Sequence, residues 1–309
     1  MALETRDSPA VSPPDAPLRP DALAGEDAIA SAPAQRADPR ALLMATFSWL
    51  QAAAPALLLG AGILVIWQLL TVSGAVPAFL LPAPARVLTA WLRGLGLTPS
   101  SGGAPSHQAP LLLRYGMTTL VESVAGFALG ALIAIPLGYA IARSQTLARA
   151  LQPYLAAMQA LPAVALAPLL VLWLGYGSPP VIALCALIVF FPMVVNTALG
   201  IRTLDRDVLD AARVAGADGW SLFRYMEFPL ALPSILAGLR VSLTLSITGA
   251  VVGEFVVGDQ GLGGLLNIAR SQFNVPLVFA TLLTLGLLAA ILYGLARLLE
   301  WRVSYMEVV

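Results

Sequence analysis

Six apolar stretches, each close to the length that crosses a bilayer, limit what this chain can fold into more than anything else in it. They run approximately from Pro55 to Thr71, Met117 to Ala142, Leu151 to Trp173, Val181 to Leu199, Pro233 to Val257 and Pro276 to Leu299. About 20 residues at 1.5 Å per residue cover the roughly 30 Å of hydrocarbon. No water is available there to pair a free amide or carbonyl, so each stretch is expected to be a helix, whose backbone bonds close within the segment. Composition agrees, because 59% of the 309 residues are hydrophobic and only 11% charged, too little charge to cover a soluble globule. The expected fold class is all-α, a polytopic membrane protein with about six transmembrane helices. Residues 1–40 are rich in Pro, Ala, Asp and Arg and poor in aromatic and β-branched residues, so they are expected to form a disordered N-terminal tail. That tail is acidic and its first apolar run begins near Leu42, which does not fit a signal peptide. Residues 41–309 then make up the transmembrane domain.

The pattern inside the spans carries further expectations. Gly126 with Gly130, and Gly249 with Gly253, have the spacing that lets helix backbones approach closely. The third span contains Pro153, Pro162 and Pro168, so it is expected to be kinked or broken. Leu80 to Leu92, entered through prolines, reads as a short interfacial helix. With the N-terminus in the cytoplasm, Arg36, Arg40, Arg143, Arg149, Arg202, Arg206, Arg213, Arg224, Arg297 and Arg302 fall on one side, and Arg86, Arg93, Arg114 and Arg270 on the other. That imbalance predicts both termini inside.

Several function classes lose ground on residue content. Net charge is zero at pH 7, so no global field points to nucleic acid. All 17 basic residues are Arg, and a phosphate-binding loop needs Lys after its glycines. The segment Gly258-Asp259-Gln260-Gly261-Leu262-Gly263-Gly264 therefore reads as a tight or re-entrant turn rather than a nucleotide site. A single cysteine, Cys185, in an apolar run excludes a disulfide framework and a Cys-rich metal site, and His107, in a polar connection, reads as solvated. An intramembrane enzyme needs a nucleophile with a base or a metal cluster, which one His and one Cys do not supply. Neither catalytic residues nor cofactor or metal ligands are expected in this chain.

Between spans four and five lies the only long, charge-bearing stretch with helical patterning, residues 202–229. Leu204, Val208, Ala211, Ala212 and Ala215 recur at helical spacing, and Asp205, Asp207 and Asp210 sit toward the N-terminal end, where the helix dipole favours acids. Gly216 supplies a C-terminal stop, Asp218 can cap a second short helix, and Trp220, Phe223 and Met226 give that helix an apolar face. Phe228-Pro229 is expected to close it and Pro233 to open span five. Periodicity alone leaves two readings open, a loop lying on headgroups of membrane lipid and a docking element for a soluble partner.

The spacing Asp210-Ala211-Ala212, three residues, Gly216, nine residues, Met226, one residue, Phe228-Pro229 resembles the EAA loop of inner-membrane permease subunits of binding-protein-dependent ABC importers. Asp210 stands where the family pattern has Glu, Met226 where it has Ile, and Phe228 where it has Leu. Leu81-Pro82-Ala83-Pro84 with Arg86-Val87, Gln159-Ala160-Leu161-Pro162 through Ala167-Pro168, Trp173-Leu174-Gly175-Tyr176-Gly177, and Gly253-Glu254-Phe255 followed by Gly261-Leu262-Gly263 are similar to the subgroup handling nitrate, sulfonates, taurine and vitamin precursors such as riboflavin or hydroxymethylpyrimidine. The resemblance covers roughly residues 55 to 302. It implies that residues 202–229 form a coupling loop for cytoplasmic ABC ATPase subunits, which bind the ATP and Mg, and that a second permease copy, in a homodimer, completes the pathway. It also implies a periplasmic or lipid-anchored solute-binding protein.

Glu122 and Glu254 are acids inside spans, where charge is costly and faces a cavity or a partner, so they are pathway candidates. Gln159, Asn196, Trp173 and Tyr176 are further candidates, each with an alternative as a helix–helix hydrogen bond or an interface anchor. Arg240, the central cation of span five, reads as a structural pair or a snorkelling residue. A secondary transporter driven by an ion gradient is the competing function, but it would carry more intramembrane acids or a His relay.

Overall fold

The computed structural model describes residues 39–97, 110–258 and 260–306, with side chains described from 54 to 302 within those bounds. Residues 1–38 of the tail expected over 1–40, His107 and Asp259 lie outside the described residues. The chain divides into two units, 1–63 and 64–309. The first contains the opening part of α1 (Pro39–Val72), which continues across the division.

The second unit holds the remaining elements: α2 (Pro84–Gly94), α3 (Leu111–Arg143), α4 (Gln145–Ala160), α5 (Ala163–Leu174), α6 (Ser178–Arg202), α7 (Arg206–Val214), α8 (Gly219–Leu222), a π-helical turn (Phe223–Glu227), α9 (Phe228–Val257), α10 (Gly261–Ser271) and α11 (Val275–Met306). Among the described residues five helices are long and apolar enough to cross a membrane, or six spans if the bent pair α4–α5 counts as one. That pair bends by 93° at Leu161-Pro162. A proline disfavours the helical conformation in the residue before it, and Leu161 sits at an extended φ −75°, ψ 127°. Pro153 and Pro168 stay inside their helices.

The glycine pairs explain why α6 lies at the centre. Gly126 and Gly130 on α3 face Cys185 and Ala186 of α6, and a Cβ on Gly130 would stand 2.7 Å from the Ala186 carbonyl oxygen. Gly249 and Gly253 on α9 face Cys185 and Val181 of the same helix, and a Cβ on Gly253 would lie 3.1 Å from the Val181 Cα. Both neighbouring helices therefore approach α6 backbone to backbone, and Val181, Leu184, Cys185, Val189 and Met193 are fully buried between them. Arg240 forms an ion pair with Glu300 of α11 at 2.8 Å and lies over the Tyr293 ring. The short helix expected near Leu80–Leu92 is α2, which starts at a proline and ties to α11 by a Trp91 Nε1 to Thr284 hydrogen bond of 3.1 Å.

Two expectations need correction. Span five does not open at Pro233: the helical path runs unbroken from Gly219 through the π turn to Val257, with Pro229 in the first turn of α9 and Pro233 inside it. A proline ring collides with the carbonyl four residues earlier, here Tyr225 for Pro229, and the turn relieves this by widening, so that the Phe228 amide reaches back to the Phe223 carbonyl. The glycine-rich segment is also more than a turn. Gly258 and Gly261 have φ of +91° and +63°, and they lead into α10, 11 residues packed on α3, α9 and α11.

Candidate functional site

Residues 202–229 project from one end of the helix triad. Asp205 caps α7 by accepting from the Asp207 amide at 2.9 Å. After α7 the chain turns on Gly216, at φ +92°. A Cβ there would meet nothing within 4 Å, so the backbone conformation, and not crowding, calls for glycine. The Gly216 amide donates to the Arg213 carbonyl and the Ala217 amide to the Ala212 carbonyl, which satisfies the end of α7. The cap of α8 joins the Asp218 backbone to Ser221: the Asp218 amide donates to Ser221 Oγ, which donates to the Asp218 carbonyl.

The side of α7 that packs inward differs from the stripe expected. Leu209 is buried, Leu204 and Ala212 are half-buried, and Val208, Ala211 and Ala215 face outward beside Val214, 91% exposed. Leu209 lies one turn beyond the cap residue Asp205, so the loop's inward face is displaced around the helix from the alanine stripe. Asp210 is exposed and pairs with Arg213. Trp220 is 70% exposed, and Phe223 holds the rings together, with centroids 5.2 Å from Trp220, 4.7 Å from Tyr139 and 5.8 Å from Phe228. Met226 is half-buried and Phe228 is at the margin of exposure. Beneath Trp220 lies an apolar cavity of about 410 Å³ reaching Ile135, Thr197 and Ile235.

Three residues absent from the sequence-based candidates fasten this element to α3. Glu227, in the π turn, is 1% exposed and accepts from Tyr139 Oη at 2.9 Å. Arg143 pairs with the same carboxylate at 3.3 Å and donates from Nε to Tyr139 Oη at 3.3 Å. The only sequence signals were an acid falling at an inward helical position and a Tyr–Arg pair one turn apart at the end of a span. Beside them a polar cavity of about 650 Å³ gathers Arg143, Arg149, Arg202, Arg206 and Arg213 with Asp210 and Glu227. Arg86 and Arg93, assigned to the opposite side, line a separate cavity with Asn274.

The pathway candidates separate into two places. Glu122 and Glu254 are 1% and 0% exposed, in the joint where α3, α6, α9 and α10 meet. Glu254 Oε2 accepts from the Gly263 amide at 2.6 Å and Thr119 Oγ1 from the Leu262 amide at 2.8 Å, so α9 and α3 together cap α10. A Cβ on Gly261 would overlap the Glu254 carboxyl, which accounts for glycine there. Gln159 and Asn196 instead line one cavity of about 680 Å³ at the break between α4 and α5. Trp173 and Tyr176 point away from the described body, 72% and 82% exposed.

Comparison with known proteins is consistent with this geometry. Residues 110–305 match the family described as binding-protein-dependent transport system inner membrane component. The riboflavin transport system permease protein RibX of Chloroflexus aurantiacus is 43% identical over 268 residues, 87% of this chain and 95% of that one. The formylaminopyrimidine transport permease protein ThiX of Halalkalibacterium halodurans is 32% identical over 238 residues, 77% of this chain and 90% of that one. Among solved structures, an inward-facing conformation of the MetNI methionine ABC transporter superposes with a TM-score of 0.56 at 18% identity, covering 62% of this chain and 96% of that chain. On these matches and its helix plan, the chain belongs to the binding-protein-dependent transport system inner membrane components, the permease subunits of ABC importers.

Proposed function

We propose that residues 202–229 dock into a cytoplasmic ATPase subunit and carry its motion into the pathway helices. The observation behind this is the unbroken helical path from Gly219 to Val257, which makes the second half of the loop and span five one lever. On this reading Asp210, Ala211, Ala212, Gly216, Trp220, Phe223, Met226, Phe228 and Pro229 form the coupling element. Its outward face offers Val208, Ala211, Val214, Ala215 and Trp220, an apolar surface with little bulk over the alanines that a partner groove can cover. The ATPase binds ATP and Mg, both termini lie in the cytoplasm, and two copies of this chain enclose the pathway within the membrane lipid. A periplasmic or lipid-anchored binding protein delivers the solute, drawn from the riboflavin, pyrimidine and sulfonate range. ATP binding then switches access by moving packed helices as rigid bodies.

The test is Gly216→Val in the full transporter, reconstituted with its ATPase and binding protein. A β-branched residue at φ +92° is strained and re-aims α8 relative to α7. Uptake is expected to fall at least tenfold while the protein stays in the membrane and basal hydrolysis persists. Unchanged uptake with unchanged stimulation of hydrolysis overturns the coupling assignment.

A further inference from the structure

We propose that the cavity at the α4–α5 break is a solute subsite for a neutral, planar heterocycle with amide or imide edges, held by Gln159 and Asn196. The inference rests on the importer reading above and names the solute class and its contacts.

The cavity measures about 680 Å³, within the range of small-molecule sites. Its lining contains no Arg, Lys, His, Asp or Glu. A nitrate or sulfonate entering it would shed its hydration with no full opposing charge in the lining, a far larger cost than a neutral ring incurs. The polar groups present are two carboxamides, each with donors and an acceptor, the complement of a ring edge that alternates C=O and N–H. Asn196 Nδ2 donates to the Pro192 carbonyl at 2.7 Å, which orients the side chain and leaves Oδ1 and a second N–H for a ligand. From behind, Gly238 of α9 fixes its position, since a Cβ there would stand 2.7 Å from the Asn196 Cβ. Phe191 contributes an aromatic ring, half-buried and edge-on to Phe190 at 5.2 Å.

The break itself supplies more. Ala163, in the lining, is the first residue of α5, so its amide has no helical acceptor and is free to donate. Pro192 has no amide hydrogen to give the Ile188 carbonyl, another lining residue. An irregular backbone at membrane depth is tolerated where it lines a cavity, and here it adds hydrogen-bonding capacity with no full charge, only the partial positive charge of the α5 N-terminus. RibX and ThiX are named for riboflavin and formylaminopyrimidine, both of them heterocycles.

The experiment measures ATP-driven uptake of riboflavin and of taurine by the complete transporter in proteoliposomes, for the wild type, Gln159→Leu, Asn196→Leu and Asn196→Asp. The wild type is expected to carry riboflavin and to leave taurine outside. Each leucine variant is expected to lose at least tenfold in riboflavin uptake, with basal hydrolysis by the assembled complex retained as the check on folding. Asn196→Asp, nearly isosteric but charged, is expected to lose riboflavin uptake without gaining taurine. If the wild type carries riboflavin and both leucine variants match it, the subsite is wrong and the importer reading stands. If the wild type carries taurine in place of riboflavin, the solute class and the subsite both fail while ATP coupling survives.

Discussion

The two ends of α9 are fastened by the same device built in opposite ways. Just before its start, Glu227 is buried to 1% but reaches Arg143, whose side chain is 38% exposed, and Tyr139 completes the contact. Near its finish, Glu254 is buried completely and binds a backbone amide of α10, with Thr119 of α3 beside it doing the same. Among the described residues no ion pair reaches Glu254, and the polar side chains beside it include Thr119 and the second acid, Glu122. One end is held by charge with access to water and the other by capping in a dry joint. A water-facing ion pair weakens with salt and re-forms readily, while a buried amide cap is costly to open. On the proposed coupling, the loop end is the latch of the lever and the α10 end its pivot.

The largest effect is expected at the pivot. Glu254→Ala removes the acceptor from a buried amide and leaves a void, so it should cost about 3 kcal/mol or more in unfolding free energy measured in mixed micelles. Thr119→Val, nearly isosteric, should cost about 1–3 kcal/mol by leaving the Leu262 amide unpaired. A loss below about 0.5 kcal/mol for both would show that α10 is held by packing alone and would erase the distinction between the ends.

At the latch the expected cost is smaller. Glu227→Ala breaks a pair whose cation keeps its hydration, so about 1–2 kcal/mol is expected, below the 3–5 kcal/mol seen for fully buried pairs. The same variant should lower the stimulation of hydrolysis by the loaded binding protein, whereas Glu254→Ala should act mainly on stability. Raising salt from about 0.1 M to 1 M shortens the screening length from roughly 10 Å to 3 Å. It should therefore reduce the wild-type advantage over Glu227→Ala and leave the advantage over Thr119→Val unchanged. A salt response at the pivot instead of the latch would invert the comparison.

Much of this plan was legible in the residues, and what was hidden has physical reasons. Apolar runs of span length, the glycine pairs against α6, the break at Pro162 and the turn at Gly216 all follow from local rules about hydrocarbon, backbone approach and φ. The continuity of the loop with span five was obscured because Pro229 and Pro233 are ordinary punctuation for helix ends, and a π turn that absorbs Pro229 leaves no residue signature. The α10 helix was obscured by its glycines, which look like turn residues until Glu254 is seen to need the space. Glu227 and Tyr139 are 88 residues apart, so their contact belongs to packing and not to pattern. Leu209 was outside the expected stripe because three of the five apolar positions chosen, Val208, Ala211 and Ala215, face away from the protein's own body.

The smallest expected effect is also the one that tests whether latch and pivot are separate parts. Glu227 and Glu254 stand about 40 Å apart along a helical path at 1.5 Å per residue. Sites that far apart with no shared partner add in stability to within about 0.5 kcal/mol. Combining Glu227→Ala with Thr119→Val should therefore give an unfolding free energy equal to the sum of the two losses, within that margin. Uptake should behave differently. A lever needs a fixed pivot and an engaged latch, so once either is lost the second substitution has little left to remove, and the double variant should transport about as well as the worse single one. Additive stability with non-additive uptake would assign the coupling to mechanics instead of folding. Additive losses in both would mean that the two ends of α9 serve transport independently.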